Sequence, residues 1–370
     1  MKTIRKSLSR LSSSKKSKDA DGIIHYKGVS VRALKEIRDD LLKQGPRTKS
    51  VVLFVSTEET VADGVQFREG DTVMRLTDGT FKKPRCKQLV RISADQLSEC
   101  FVKKEKRQWT TEDIAEFVVL PASLPTTCFY TDLLDRKDVG RPYQGSFVSQ
   151  ARRCAFVGLV NTIAENADDD HFVWLDIFSA NQPLLTDMDE SLPKDEMKRR
   201  YDCLTYGLHD AIDKFDNRFI YFDSWYSPVP LKRTWCVWEL YGCARSKKQL
   251  QIIFARAEHD DFVDVLLKDP DEITKKLCDI KTEKSECFNT QDKNMIFTAI
   301  ESLEGGFVTV NAMILTQIRD WLAETAMTTV DLFRRTENTK LSLILHQAGY
   351  LYEKQGKYEE MHFNCTKNVA

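Results

Sequence analysis

The sequence is poor in what metal centres and membrane segments need. It has only six histidines, and its ten cysteines, Cys86, Cys100, Cys128, Cys154, Cys203, Cys236, Cys243, Cys278, Cys287 and Cys365, include no C-x-x-C pair. That spacing argues against a zinc site. Scattered cysteines in apolar patterns read instead as reduced, buried thiols of a cytoplasmic protein. No apolar run approaches the roughly 18 residues of a membrane helix. The N-terminus lacks the apolar core of a secretory signal. A net charge of −1 leaves no basic field for nucleic acid. Among catalytic signatures, G-x-S-x-G, a Walker loop and H-E-x-x-H are all missing.

What is present is an ordinary soluble composition, 42% hydrophobic and 30% charged over 370 residues. Residues 1–20 stand apart, with seven basic residues, six serines and no acid in the first eighteen. Such a stretch cannot bury enough apolar surface to offset chain entropy, which predicts a disordered basic tail. Ile4, Leu8 and Leu11 share a helical face, as in a mitochondrial presequence, but lysine outnumbers arginine.

Residues 23–135 predict a small α+β accessory region. Val31, Leu34, Ile37 and Leu41 have helical spacing, "VVLFVST" is a strand, and "EGDTVMRLTDGTFKK" is a hairpin turning at Asp78-Gly79. "TTEDIAEFVVLPAS" gives a capped helix start with a strand-like end.

Residues 145–256 alternate between buried strands ("GSFVS", "HFVWLDIFS", "RFIYFDSW", "LQIIFA") and helices. That alternation predicts an α/β fold with a mostly parallel sheet. Residues 257–336 predict a helical extension, broken at Gly305-Gly306. Residues 338–370 predict one helix–turn–helix, with "KQGK" as its turn.

The helix "LKRTWCVWELYGCARS" carries the main signal. Leu231, Trp235 and Trp238 lie on one stripe, and Cys236, Leu240 and Cys243 on another. A helix apolar nearly all round is buried, yet it holds Glu239. A buried carboxylate costs several kcal/mol unless paired or protonated. Two readings stay open: an ion pair with Arg233 or Arg152, or an acid lining a cleft. Asp176 reads either as the end of a parallel strand, where open α/β sheets bind ligands, or as a loop cap. Asn181 and Gln182 read as loop-stabilising. Trp225 and Tyr226 read as core or as pocket lining. Cys236 beside Glu239 is a poor nucleophile.

The run Trp235, Cys236, Glu239, Leu240 resembles the third helix of Toll/interleukin-1 receptor (TIR) domains, and the strand–helix order over residues 145–256 fits. The resemblance implies a flavodoxin-like parallel sheet. It also implies Glu239 as the catalytic acid of an NAD nucleosidase, with Ser149, Arg152, Asp176 and Trp225 as cofactor-binding positions, NAD as substrate and no metal. The oxocarbenium-like centre of such a cleavage is stabilised by a nearby negative charge. "FVSQAR", "VWLDIFSANQ", "PLKRTWCVWELY" and "GYLYEKQGKYEE" resemble, more narrowly, TIR-like proteins of protists and algae. Those place kinesin-light-chain-like tetratricopeptide repeats after the TIR-like domain.

This chain departs from that group at Gln150 and Arg152, where His and Trp are usual, and at Met361, where a small residue is expected. Gly349 and Tyr352 match the repeat. One repeat is too short an array for independent stability, so the chain is a fragment or its last helix pair packs on the TIR-like domain. The resemblance implies a signalling or assembly module that binds proteins through its TIR-like surface and C-terminal helices and self-associates, without nucleic acid or membrane. An NAD nucleosidase is the alternative, and a kinesin-light-chain-like adaptor the third reading.

Overall fold

The computed structural model describes residues 22–43, 108–141, 145–186, 192–246 and 248–357, with Met188 and Glu359. Between 51 and 103 only the strands are described, and there only the backbone. The basic tail, the second helix of the closing pair, Cys86, Cys100 and Cys365 lie outside the described residues.

In chain order the strands are β1 (Gly28–Ser30), β2 (Val51–Val55), β3 (Thr60–Ala62), β4 (Val65–Phe67), β5 (Thr72–Arg75), β6 (Phe81–Lys82), β7 (Leu89–Val90), β8 (Phe101–Lys103), β9 (Val139–Gly140), β10 (Gly145–Ser149), β11 (Phe172–Trp174), β12 (Asn217–Phe222) and β13 (Leu250–Phe254). The helices are α1 (Val31–Lys43), α2 (Thr111–Ile114), α3 (Leu120–Ser123), α4 (Phe156–Asn166), α5 (Asp176–Ser179), α6 (Gln182–Thr186), α7 (Lys194–Lys214), α8 (Thr234–Arg245), α9 (Arg256–Lys268), α10 (Pro270–Leu277), α11 (Thr290–Glu301), α12 (Gly306–Arg335) and α13 (Leu341–Lys354). Strand pairing is both parallel and antiparallel, so the chain is α/β with mixed pairing.

The chain divides into two compact units, residues 1–145 with 152–203, and residues 146–151 with 204–370. The division runs through residues 145–256, because the short piece around Ser149 pairs with strands that follow much later.

In the first unit, β1 pairs antiparallel with β11 and with β9. The hairpin read from Asp78-Gly79 appears as antiparallel β5 and β6, with Arg75 opposite Phe81. Two strand expectations fail here. "FVWLDIF" is a strand only to Trp174, and Asp176–Ser179 is helical. The turn is closed by Ser179 and Ala180 N–H groups donating to Leu175 and Asp176 carbonyls. "EFVVLPAS" is helical rather than strand-like. A capping box between Thr110 and Asp113 starts the helix. A π-turn over Ala115–Val119, closed by Leu120 N–H on Ala115 C=O, then widens the ladder just before Pro121, which has no N–H to give.

In the second unit, β10, β12 and β13 form parallel pairs, with Ser149 opposite Ile220 and Ile220 opposite Ile252. Three of the four strands read as parallel from their apolar runs are therefore parallel here. Phe147, Val148, Ile220, Phe222, Ile252 and Phe254 are buried, as double-sided coverage requires. The helical extension completes this core. Phe254, Phe262 and Trp321 form an aromatic cluster, with Phe262 and Trp321 centroids 5.5 Å apart.

Arg218, fully buried on β12, donates to the Ile212 carbonyl at 2.9 Å, and Lys248 donates to Asp213 and Phe215 carbonyls. Two cations thus close the C-terminus of α7. Gly305 and Gly306 have φ of +77° and +50°, which ends α11's segment and starts α12 where the sequence placed the break.

Helix α13 docks on this unit. Gln347 donates to Leu267 C=O, Tyr350 and Lys354 both reach Asp271, and Lys357 pairs with Asp320. The first helix of the closing pair thus packs on the helical extension, residues 257–336. The Asp271 contacts are exposed and the Lys357–Asp320 pair is part-buried, so apolar contact holds most of the helix: Ile344, Ala348, Leu351 and Tyr352 are buried. We expect Asp271→Ala to lower stability by no more than about 1 kcal/mol, read as the urea midpoint at constant m.

Among the described residues all seven cysteines are free thiols. Cys154, Cys236 and Cys243 are buried, while Cys128, Cys203, Cys278 and Cys287 are partly exposed. Burial pushes the Cys243 thiol up to about 12. No described helix is long and apolar enough to cross a membrane.

Candidate functional site

Helix α8 is buried along nearly its whole length, as its all-round apolar sequence requires; from Thr234 to Ala244 only Trp235 is less than fully packed. Its one acid, Glu239, is 8% exposed. Ser149 ends β10 and is 1% exposed. The Ser149 hydroxyl donates to Glu239 Oε2 at 2.5 Å, across 90 residues of sequence. The pair sits at the carboxyl end of a parallel strand, with Ser149 the last residue in register, opposite Ile220; this is the edge at which open α/β sheets meet ligands. One turn earlier, the Cys236 thiol donates to Gln150 C=O at 3.4 Å, fixing α8 against the same strand end.

Trp238, next to Glu239 in the chain, belongs to an aromatic cluster with His209 and Tyr241. His209, on the part of α7 that belongs to this unit, stacks on Trp238 at 4.2 Å, and its Nε2 is 3.0 Å from Trp238 C=O. Trp238 in turn donates its indole N–H to Thr205 C=O at 2.9 Å. Gly242 explains itself here. A Cβ at that position would stand 2.6 Å from His209 Cδ2, so only glycine lets the two helices meet, at a helix-propensity cost of about 1 kcal/mol. Burial drives the His209 imidazole down to about 4.

In the first unit, Arg152 Nε donates to Asp176 Oδ2 at 2.9 Å, and Arg152 also reaches Gln182 Oε1 at 3.5 Å. Gln182 donates to Asp176 C=O, and Asn181 Oδ1 accepts from Leu184 N–H. Asp176 therefore opens the short helix α5 and anchors Arg152, instead of ending a strand. Asn181 and Gln182 stabilise their loop, as read.

Trp225 is packed in the core of the second unit, 2% exposed, against Tyr226 and Phe262. Its indole N–H is committed to Asp261 at 2.8 Å. Of the two readings of Trp225, core packing holds, and its faces are not open to a base. Tyr226 is half exposed, with Lys276 3.6 Å above its ring.

Sequence reasoning missed His209, Cys236's tie to Gln150 and the segment that grips the start of α8. Gly242 inside an otherwise apolar helix was the one signal that pointed to His209. Among the described residues no group of three or more His, Cys, Asp or Glu is placed to hold a metal ion.

No family model, curated protein or solved structure matches this chain.

Proposed function

We propose that the Ser149–Glu239 pair is the chemical centre of a TIR-like NAD nucleosidase, and that the chain cleaves the bond between nicotinamide and ribose. The observation that carries this reading is the 2.5 Å hydrogen bond from Ser149 to Glu239 at the carboxyl end of β10. A carboxylate held by a hydroxyl donor at a desolvated site would act strongly on a cation forming nearby. Here the cation is the ribosyl oxocarbenium left when the C1′–N bond breaks and nicotinamide departs with the bonding pair. Water adds at C1′ and loses a proton, giving ADP-ribose, nicotinamide and H⁺. Glu239 stabilises the developing charge; Ser149 orients the carboxylate. The flavodoxin-like strand order belongs to this same reading.

A second reading is a cytoplasmic signalling or assembly module that binds proteins and self-associates, the nucleosidase being silent. It is favoured by the docked helix pair α12–α13, held by Gln355 on Arg319 C=O and by Lys357 on Asp320. Helix α13 opens the segment, residues 338–370, whose sequence resembles a partial tetratricopeptide repeat. The kinesin-light-chain-like adaptor is a narrower form of this reading.

One assay separates the two. Purified protein incubated with NAD is expected to release nicotinamide and ADP-ribose in equal amounts, followed by chromatography. NAD left intact at high enzyme concentration, together with a concentration-dependent rise in molecular mass by light scattering, would replace the first reading with the second.

A further inference from the structure

We infer that the strap formed by residues 282–292 sets the orientation of Glu239 by gripping the first turn of α8, with Thr234, Trp235 and Asp292 as positioning residues. The inference rests on Glu239 being the functional centre proposed above.

Helix α8 begins without a side-chain cap. Its N-cap is Arg233, which has no oxygen to offer the free N–H groups of the first turn. The strap supplies what is missing. Glu286 C=O accepts from Thr234 N–H at 2.9 Å, and Glu286 N–H donates to Lys232 C=O at 2.8 Å. Arg233 and Glu286 thereby form an isolated parallel bridge.

A cap would need no more than this, but the strap makes two further side-chain contacts. Thr234 Oγ1 and Ser285 Oγ are 3.0 Å apart, and both residues are 1% exposed. Trp235 donates its indole N–H to Asp292 Oδ2 at 3.1 Å. Side-chain bonds on consecutive residues fix the rotation of a helix about its axis, because each residue turns by about 100°. Glu239 follows Thr234 by five residues, about 7.5 Å along the axis. Rotation at the first turn therefore carries directly to the carboxylate.

The strap is itself tied down from the other side. Thr282 Oγ1 and N–H both donate to Asn311 Oδ1, at 2.5 and 3.0 Å, and Asn311 Nδ2 donates to Glu283 at 3.1 Å. Asn311 belongs to α12, so the helical extension holds the start of α8 through a chain of hydrogen bonds. The extension is then part of the site's geometry, and whatever moves α12 moves Glu239.

The test uses the full chain. Thr234→Val with Asp292→Ala removes the two side-chain contacts and keeps the backbone bridge. Trp235→Phe removes the indole donor alone, and Asp292→Asn keeps an acceptor for it. Two readouts are taken: amide exchange over residues 234–241, with α4 as the internal control, and the ¹³C resonance of the Glu239 carboxyl.

The double variant is expected to raise exchange in 234–241 about tenfold, a loss of about 1.4 kcal/mol of local protection, leaving α4 unchanged, and to move the carboxyl resonance. Trp235→Phe should do the same in part, and Asp292→Asn should match the wild type. Unchanged exchange in both the double variant and Trp235→Phe would overturn the inference. Raised exchange with an unmoved carboxyl resonance would also overturn it, leaving a cap only. Failure of the wild type to cleave NAD would remove the nucleosidase reading without touching either readout.

Discussion

On the proposed nucleosidase reading, Glu239→Gln is expected to lower NAD cleavage by at least about 100-fold, a typical cost of removing one electrostatic stabiliser, while keeping its stability within about 1 kcal/mol of wild type. The amide has the volume of the carboxylate and still offers Ser149 an oxygen to donate to, so the 2.5 Å contact has a neutral replacement. What disappears is the negative charge. Glu239→Ala is the contrasting variant. It leaves a cavity and a Ser149 hydroxyl at 1% exposure with that acceptor gone, which costs about 1–3 kcal/mol. Reading nicotinamide release beside urea unfolding for both variants separates charge from packing. Full turnover in Glu239→Gln would remove Glu239 from the chemistry.

Acidification from pH 7 to below 4 will cost the wild type about 3 kcal/mol more stability than His209→Phe. His209 is held neutral by burial and falls to about 4 from an ordinary 6.5. The backbone contact with Trp238, and Asp213 and Asp210, act against that shift; Arg245 acts with it. The unfolded chain therefore binds the proton more readily between those two values. Stability from this group is complete above about pH 6.5, declines as pH falls, and is gone below about 4. Phenylalanine keeps a flat ring against Trp238 and does not titrate. Urea midpoints for both proteins at pH 7, 5.5 and 4 check the difference. Parallel pH profiles would mean that burial does not lower the His209 pKa in the fold.

Much of the local structure was legible in the residues. The all-round apolar face of α8 demanded burial, and burial made Glu239 conspicuous. The apolar runs "FVS", "RFIYF" and "LQIIF" had to be covered on both faces, and they are parallel strands. Gly305-Gly306 had to break a helix. The failures share a cause. "LDIFS" and "EFVVLPAS" are apolar enough for a strand but fold as helical turns, because local hydrogen bonds at Leu175, Asp176 and Ala115 outcompete a weak β preference. Short apolar runs do not distinguish the two by period alone.

Residue pattern alone put an acid inside an apolar helix and required an α/β chain with a helical extension. What that acid meets depends on the fold. Ser149 reaches Glu239 because the parallel register of β10, β12 and β13 ends the strand beside α8, a relation between segments 90 residues apart. Arg152, an equally good partner on charge alone, is instead drawn to Asp176. Trp225 fills the core because Asp261 accepts its indole N–H there. Each outcome turns on which polar group satisfies another once both are desolvated. That choice depends on distances of a few tenths of an ångström, which no pattern along a chain encodes.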